Sequence, residues 1–207
     1  MNLLIHPTYF PTVAHFVAIA KASTVTFEAA DNFQKQTYRN RMYIYGANGK
    51  LLLNVPVKHN KSNLKTAYKN TYIENVENWQ KQHWRSIVSA YKSSPFFEYY
   101  QDDINALFFT PQESLYQLNC SIFKIICNCI ELDITINHTS IFEKETTNYT
   151  DLRSLVNAKK EVPVPTIPYT QVFSDKHGYI NNLSIIDLLF NEGPNTLNYL
   201  ESQAKFW

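Results

Sequence analysis

Glycine is scarce in this chain, with 4 among 207 residues. That is too few for a fold built on glycine-rich phosphate loops, and neither GxGxxG nor GxxxxGK[ST] occurs. The nucleophile elbow GxSxG is missing as well. There are 3 cysteines, an odd number with no CxxC pair, which argues against a disulfide framework and fits a reducing compartment. The 6 histidines form no HxH, HxxxH or HExxH, so neither metal nor cofactor is expected. Charge is low and balanced, 19 Lys plus Arg against 18 Asp plus Glu, which gives no pull toward nucleic acid. No apolar run nears the roughly 20 residues that span a bilayer. The opening MNLLIHPTYFP has no basic lead, so the expectation is a cytoplasmic protein with no membrane span.

Aromatic residues are plentiful, with 14 Tyr and 13 Phe. Periodicity reads as follows. Asn2 to Ile5 is a short strand, ended by His6 and Pro7. Val13, Phe16, Val17 and Ala20 follow at helical spacing, and Thr24 to Phe27 alternates as a strand. Strand, helix, strand in so few residues favours parallel neighbours. Asn60 to Tyr68 is a polar loop, and Asn78 is a plausible cap for a helix through Tyr91. Ser94-Pro95 opens a second helix and Thr110-Pro111-Gln112-Glu113 reads as a capping box for a third, through Ile130. Leu132 to Ile136 is a strand, Asn137 to Asp151 is irregular, and Val162 to Pro168 is extended. A second capping box, Ser184 to Asp187, starts a helix that Gly193-Pro194 stops, and a last helix runs to Gln203. The expected class is α+β or α/β: a small mixed sheet with a β-hairpin from the N-terminal third, packed by helices. It is one domain over residues 1–207, mainly sheet to 76 and mainly helical from 77.

The densest signal is TYRNRMYIYGANGKLLLNVPVKH, residues 37–59. With Asn48-Gly49 as a two-residue loop, Ile44 faces Leu53, Met42 faces Val55 and Asn40 faces Val57. Met42, Ile44, Leu53, Val55 and Val57 then share an apolar face. The other face gathers Arg39, Arg41 and Lys58, a cluster able to hold a phosphate or carboxylate; the alternative is a plain solvated strand face.

Several side chains are candidates for chemistry. His6 ends the first strand, and ligands of open α/β sheets bind outside carboxyl ends of strands, so His6 and Tyr9 are candidate pocket residues. Asp31 reaches the same rim or caps the next segment. Trp79 and His83 lie four apart on one helix face, for stacking or simply for core. Cys120, Cys127 and Cys129 read as structural thiols. Asp187 reads as a helix cap rather than a base, and residues 173–179 form a candidate lid or binding loop.

HPTYFP at the start, YRNR and NVPVKH in the hairpin, NWQKQHWRSIVSAYKSSPFFEYY in the middle and NLSIIDLLFNEGP near the end together resemble the WbqC-like family, in order over nearly the whole chain. The resemblance implies a bacterial protein of O-antigen or other surface polysaccharide biosynthesis. Where many members carry paired aspartates after the second strand, this chain has Ala30-Asp31.

Two functions follow. In the first, the chain is a transferase acting on a nucleotide- or lipid-linked sugar. His6 or Asp31 is the general base, Arg39, Asn40, Arg41 and Lys58 bind the small anionic ligand, and Tyr9, Tyr43, Trp79 or His83 contacts the sugar or base. In the second, it is a non-catalytic accessory protein. Protein partners in either case are a second copy (a homo-oligomer) or another biosynthetic enzyme.

Overall fold

The computed structural model describes residues 1–58, 65–76, 78–159 and 166–203. In chain order the strands are β1 (Asn2–Ile5), β2 (Thr24–Phe27), β3 (Arg41–Gly46), β4 (Gly49–Asn54), β5 (Thr135–His138) and β6 (Thr150–Asp151). The helices are α1 (Val13–Ala20), α2 (Trp79–Tyr91), α3 (Phe97–Phe109), α4 (Leu115–Cys129), α5 (Ser174–His177), α6 (Ile185–Glu192) and α7 (Thr196–Gln203).

The crossover through α1 places β1 and β2 side by side and parallel, in register Asn2↔Thr24 to Ile5↔Phe27. β5 pairs with β2 and β6 with β1, both parallel, giving the order β5-β2-β1-β6. Leu3, Ile5, Val25 and Phe27 are buried, as a covered parallel sheet requires. Phe27 packs edge-on against Phe123 of α4 at 4.9 Å, and Phe16 of α1 stacks on the same ring at 5.8 Å. The α+β class stands. Two strands of the sheet come from residues 135–151, however, and the hairpin β3-β4 forms a sheet of its own. Asn137 to Asp151 is thus not wholly irregular.

The hairpin register differs from the expected one by two residues. Met42 pairs with Leu53, Ile44 with Leu51 and Gly46 with Gly49, so Ala47-Asn48 is the loop. Asn48 stays out of the left-handed region, and the positive φ of 99° falls on Gly49. The cause lies outside the hairpin: the Ala47 carbonyl accepts from Lys176 Nζ at 3.1 Å and His177 Nε2 at 3.0 Å. A two-residue shift preserves side-chain parity, so Met42, Ile44, Leu53 and Val55 still face the core.

Helix starts also shift. α4 begins at Leu115, with Ser114 as its cap accepting from Gln117 N at 3.3 Å. Thr110 turns back to close α3, its hydroxyl donating to Ala106 O at 2.8 Å. Ser94 donates to Tyr91 O, and α3 starts at Phe97. At the far end of α4, Glu131 takes φ 57° and Leu132 N bonds Cys127 O, a helix closure that delays β5 to Thr135. Gly193, at φ 54°, ends α6 as expected. The loop expected over Asn60 to Tyr68 and the extended run Val162 to Pro168 lie largely outside the described residues.

Candidate functional site

Because the four strands run parallel, each delivers its next residues to the same edge. β1 is followed by His6, β2 by Glu28 and β5 by Thr139, while β6 ends on Asp151. Beyond β2, Asp31 folds back onto His6. The two side chains meet at 3.0 Å, Nε2 to Oδ2, and Arg39 places Nη2 at 2.7 Å from both. All three are buried; Arg39 is 0% exposed. Nε2 cannot serve both partners at once: a proton on it suits Asp31 and opposes Arg39 Nη2, and a lone pair on it does the reverse. With the proton on Nε2, His6 donates to Asp31 and Nδ1 is a bare acceptor. With it on Nδ1, Nε2 accepts from Arg39 and Nδ1 becomes a donor. Among the described residues neither His6 Nδ1 nor Arg39 Nε and Nη1 has a partner. A buried guanidinium with idle donors is costly unless something else meets them.

Burial pulls His6 below its ordinary value, against the hydrogen bond to Asp31. Burial alone would raise Asp31, but the His6 hydrogen bond and the charges of His6 and Arg39 outweigh it, and the carboxyl ends below its usual range. Asp31 Oδ1 also caps its own turn by accepting from Asn32 N at 2.6 Å. Arg39 is lowered by burial while Tyr68, Asp31 and Glu28 hold its charge in place.

Glu28 is a member of this edge that sequence reasoning missed. It is 1% exposed. Its Oε1 accepts from Ala30 N, Asp31 N and the Thr139 hydroxyl at 2.9, 3.1 and 2.8 Å, and its Oε2 from Arg153 Nη1 at 3.2 Å. Arg153, also missed, binds Asp151 through Nε and Nη2 and the carbonyls of Glu143 and Lys144. The available signal was positional: Glu28 directly follows the second strand.

Tyr9, Trp79 and His83 do come together, but within the core. Tyr9 Oη lies 2.8 Å from His83 Nδ1, and the Trp79 and His83 rings are 5.2 Å apart. Burial takes His83 down to about 4, so it is neutral near pH 7. Trp79 has 3% of its surface exposed. The expected trio of Arg39, Arg41 and Lys58 does not assemble. β3 starts only at Arg41, Arg39 turns inward to Asp31, and Lys58 is exposed with its amide on Tyr72 O. Arg41 instead shares a depression of about 350 Å³ with Lys35, Gln36, Asn40 and Asn54. There Asn40 ties the hairpin by donating to Asn54 Oδ1 and Val55 O.

Asp187 is not a helix cap. Ser184 makes no capping bond and donates to Phe10 O instead. The Asp187 carboxylate is fully buried and accepts from Tyr91 at 2.8 Å, Tyr169 at 2.6 Å and Gln171 at 2.8 Å. Residues 173–179 are no lid either: Tyr45 donates to the carbonyls of Phe173 and Gly178, and α5 sits on the hairpin turn. The thiols are partly or wholly buried; burial raises Cys120 and Cys127 to about 12 and Cys129 to about 11. Among the described residues no helix is long and apolar enough to cross a membrane.

The model of the WbqC-like protein family matches residues 6–166. The chain belongs to that family. The match spans every member of the sheet-edge cluster, from His6 to Arg153, and stops short of Asp187. No curated protein and no solved structure matches the chain. For this WbqC-like protein the sheet edge lies inside the matched span, together with the hairpin and α1 to α4.

Proposed function

We propose that the chain is a transferase acting on a nucleotide- or lipid-linked sugar in bacterial surface polysaccharide assembly. The observation that carries this is the His6 ring, held by Asp31 at the carboxyl edge of a parallel sheet with Nδ1 unpartnered among the described residues. Membership of the WbqC-like family supports the polysaccharide context. With Nε2–H donating to Asp31, Nδ1 takes the proton from an acceptor hydroxyl or amine. The acceptor oxygen or nitrogen bonds to the anomeric carbon of the sugar. The bond from that carbon to the phosphate oxygen breaks, and its electron pair leaves with the phosphate. Asp31 stabilises the imidazolium, as a carboxylate does for a paired histidine. The depression that holds Lys35, Asn40 and Arg41 is the place for the phosphates. The same reading puts the protein in the cytoplasm, where its free cysteines fit the redox poise.

A non-catalytic accessory role is the competing reading. It draws on the depth of the triangle, since His6 and Asp31 are 5% and 9% exposed. A thermal-shift screen of nucleoside diphosphates and nucleotide sugars separates the two. The transferase should be stabilised by one of these ligands, less so as Arg41→Ala, and His6→Asn should bind but not turn over. Equal melting with every ligand would support the accessory role.

A further inference from the structure

Between residues 139 and 149 the chain crosses the carboxyl edge of the sheet, from β5 on one margin to β6 on the other. This strap is tied down. Thr139 N donates to Phe27 O at 3.0 Å, and its hydroxyl accepts from Ala29 N at 2.9 Å while donating to Glu28. Arg153 donates to Glu143 O at 2.7 Å and lies 5.2 Å from the centre of the Phe142 ring. Beneath the strap lies a cavity of about 190 Å³ walled by Leu4, Glu28, Thr139, Glu143, Thr146 and Tyr149. Drug-sized ligands occupy upward of ~300 Å³, so this space suits something nearer one sugar ring.

Its lining leans acidic. No Lys or Arg lines it; two carboxylates and several hydroxyls do, with His138, whose Nδ1 lies 2.7 Å from the Tyr116 hydroxyl, and Arg153 pairs with Glu28 from behind. Glu28 Oε1 is saturated by three donors, whereas among the described residues Oε2 accepts only from Arg153, at 3.2 Å. The Thr146 hydroxyl is shut off from solvent with no partner among the described residues. A buried hydroxyl left alone costs free energy that a ligand group would recover. The opposite character belongs to the depression around Lys35 and Arg41.

We infer that this cavity is the acceptor subsite and that the acceptor is an amino sugar. Its ammonium sits against Glu28 and Glu143, and its ring hydroxyls meet Thr139, Thr146 and Tyr149. The word acceptor rests on the transferase reading; the amine selectivity does not. Donor and acceptor are thereby sorted by charge, phosphates to the basic depression and ammonium to the acidic cavity.

The test is a titration with glucosamine and with glucose, read by saturation-transfer NMR with no nucleotide present. Glucosamine is expected to bind with Kd on the order of 1 mM and glucose roughly tenfold more weakly. Glu143→Gln and Thr146→Val, both conservative in shape, should each weaken glucosamine several-fold, the first without moving the melting temperature and the second with it unchanged or raised, since an unpaired buried hydroxyl is removed. Equal affinity for the two sugars, no saturation by glucosamine, or wild-type binding by both variants overturns the inference. A parallel titration with uridine diphosphate keeps the two readings apart. Nucleotide binding without glucosamine binding sinks this subsite alone. Glucosamine binding without uridine diphosphate binding keeps an amine site and removes the uridine-nucleotide form of the transferase reading.

Discussion

The phenol of Tyr91 donates to the carboxylate of Asp187 at 2.8 Å across 96 positions of sequence, and among the described residues no cation pairs with that carboxylate. Burial raises Asp187 above its ordinary value, although hydrogen bonds from Tyr169, Tyr91 and Gln171 oppose the rise. The folded state therefore holds this proton in a pH window where the unfolded chain has released it. The associated stability is complete below the unfolded carboxyl value and is lost as pH rises through the folded one. Asp187→Asn should flatten that slope in urea melts at pH 4 and pH 7, and should stay within about 1 kcal/mol of wild type at neutral pH. Tyr169→Phe, which removes one buried donor, should cost ~1–2 kcal/mol. A wild-type slope in the Asn variant would assign the titration elsewhere.

The buried pair Asp31 and Arg39 behaves in the opposite sense. The Asp31 carboxyl is lowered on balance, so its contribution is present above the unfolded value and is lost as pH falls through the folded one. Arg39→Met leaves a buried carboxylate beside His6 and should cost ~3–5 kcal/mol. Adding Asp31→Asn to that variant should restore part of the loss, because the stranded charge goes with it. Strict additivity of the two costs would argue against direct coupling.

In the proposed transferase, with His6 as base, the burial that lowers His6 sets the acid limit of turnover. A base with a lowered value keeps its lone pair below pH 6.5, so kcat/KM should hold steady from pH 8 down past 6.5 and fall only further into acid. His6→Asn should slow transfer by roughly 10²–10⁴-fold with nucleotide affinity retained. A rate that falls already at pH 7 would assign the base to another group.

Two glycines with positive φ separate backbone strain from crowding. At Gly49, φ 99°, an added Cβ meets nothing within 4 Å, so Gly49→Ala should cost about 1 kcal/mol from conformation alone. At Gly193, φ 54°, the same atom would lie 2.5 Å from the Phe96 ring. Gly193→Ala should therefore cost at least ~2 kcal/mol, and Phe96→Leu should recover some of it. Equal melting temperatures for the two alanine variants would refute the distinction.

What could be read from sequence depended on whether the deciding partner was local. β1, α1 and β2 follow from alternation and spacing within 26 residues, and the meeting of His6 with Asp31 follows from their both succeeding parallel strands. The hairpin loop was misplaced because Asn48-Gly49 satisfies a short-range rule, while Lys176 and His177 act on the Ala47 carbonyl from the far end of the chain. Ser184 to Asp187 spells a capping box, yet three distant donors draw the carboxylate into the core. Glu28 and Arg153 are 125 positions apart, and no local pattern announces their contact.

The docking of α5 on the reversal at Ala47 also bears on engineering. Hairpin tips are favoured places to insert an epitope or attach a dye, since little usually touches them. Here the tip is a joint that holds the first third of the chain to the last, through Tyr45 as well as Ala47. A label would sit more safely at Tyr99, on an outward surface of α3, where 76% of the side chain is open to water.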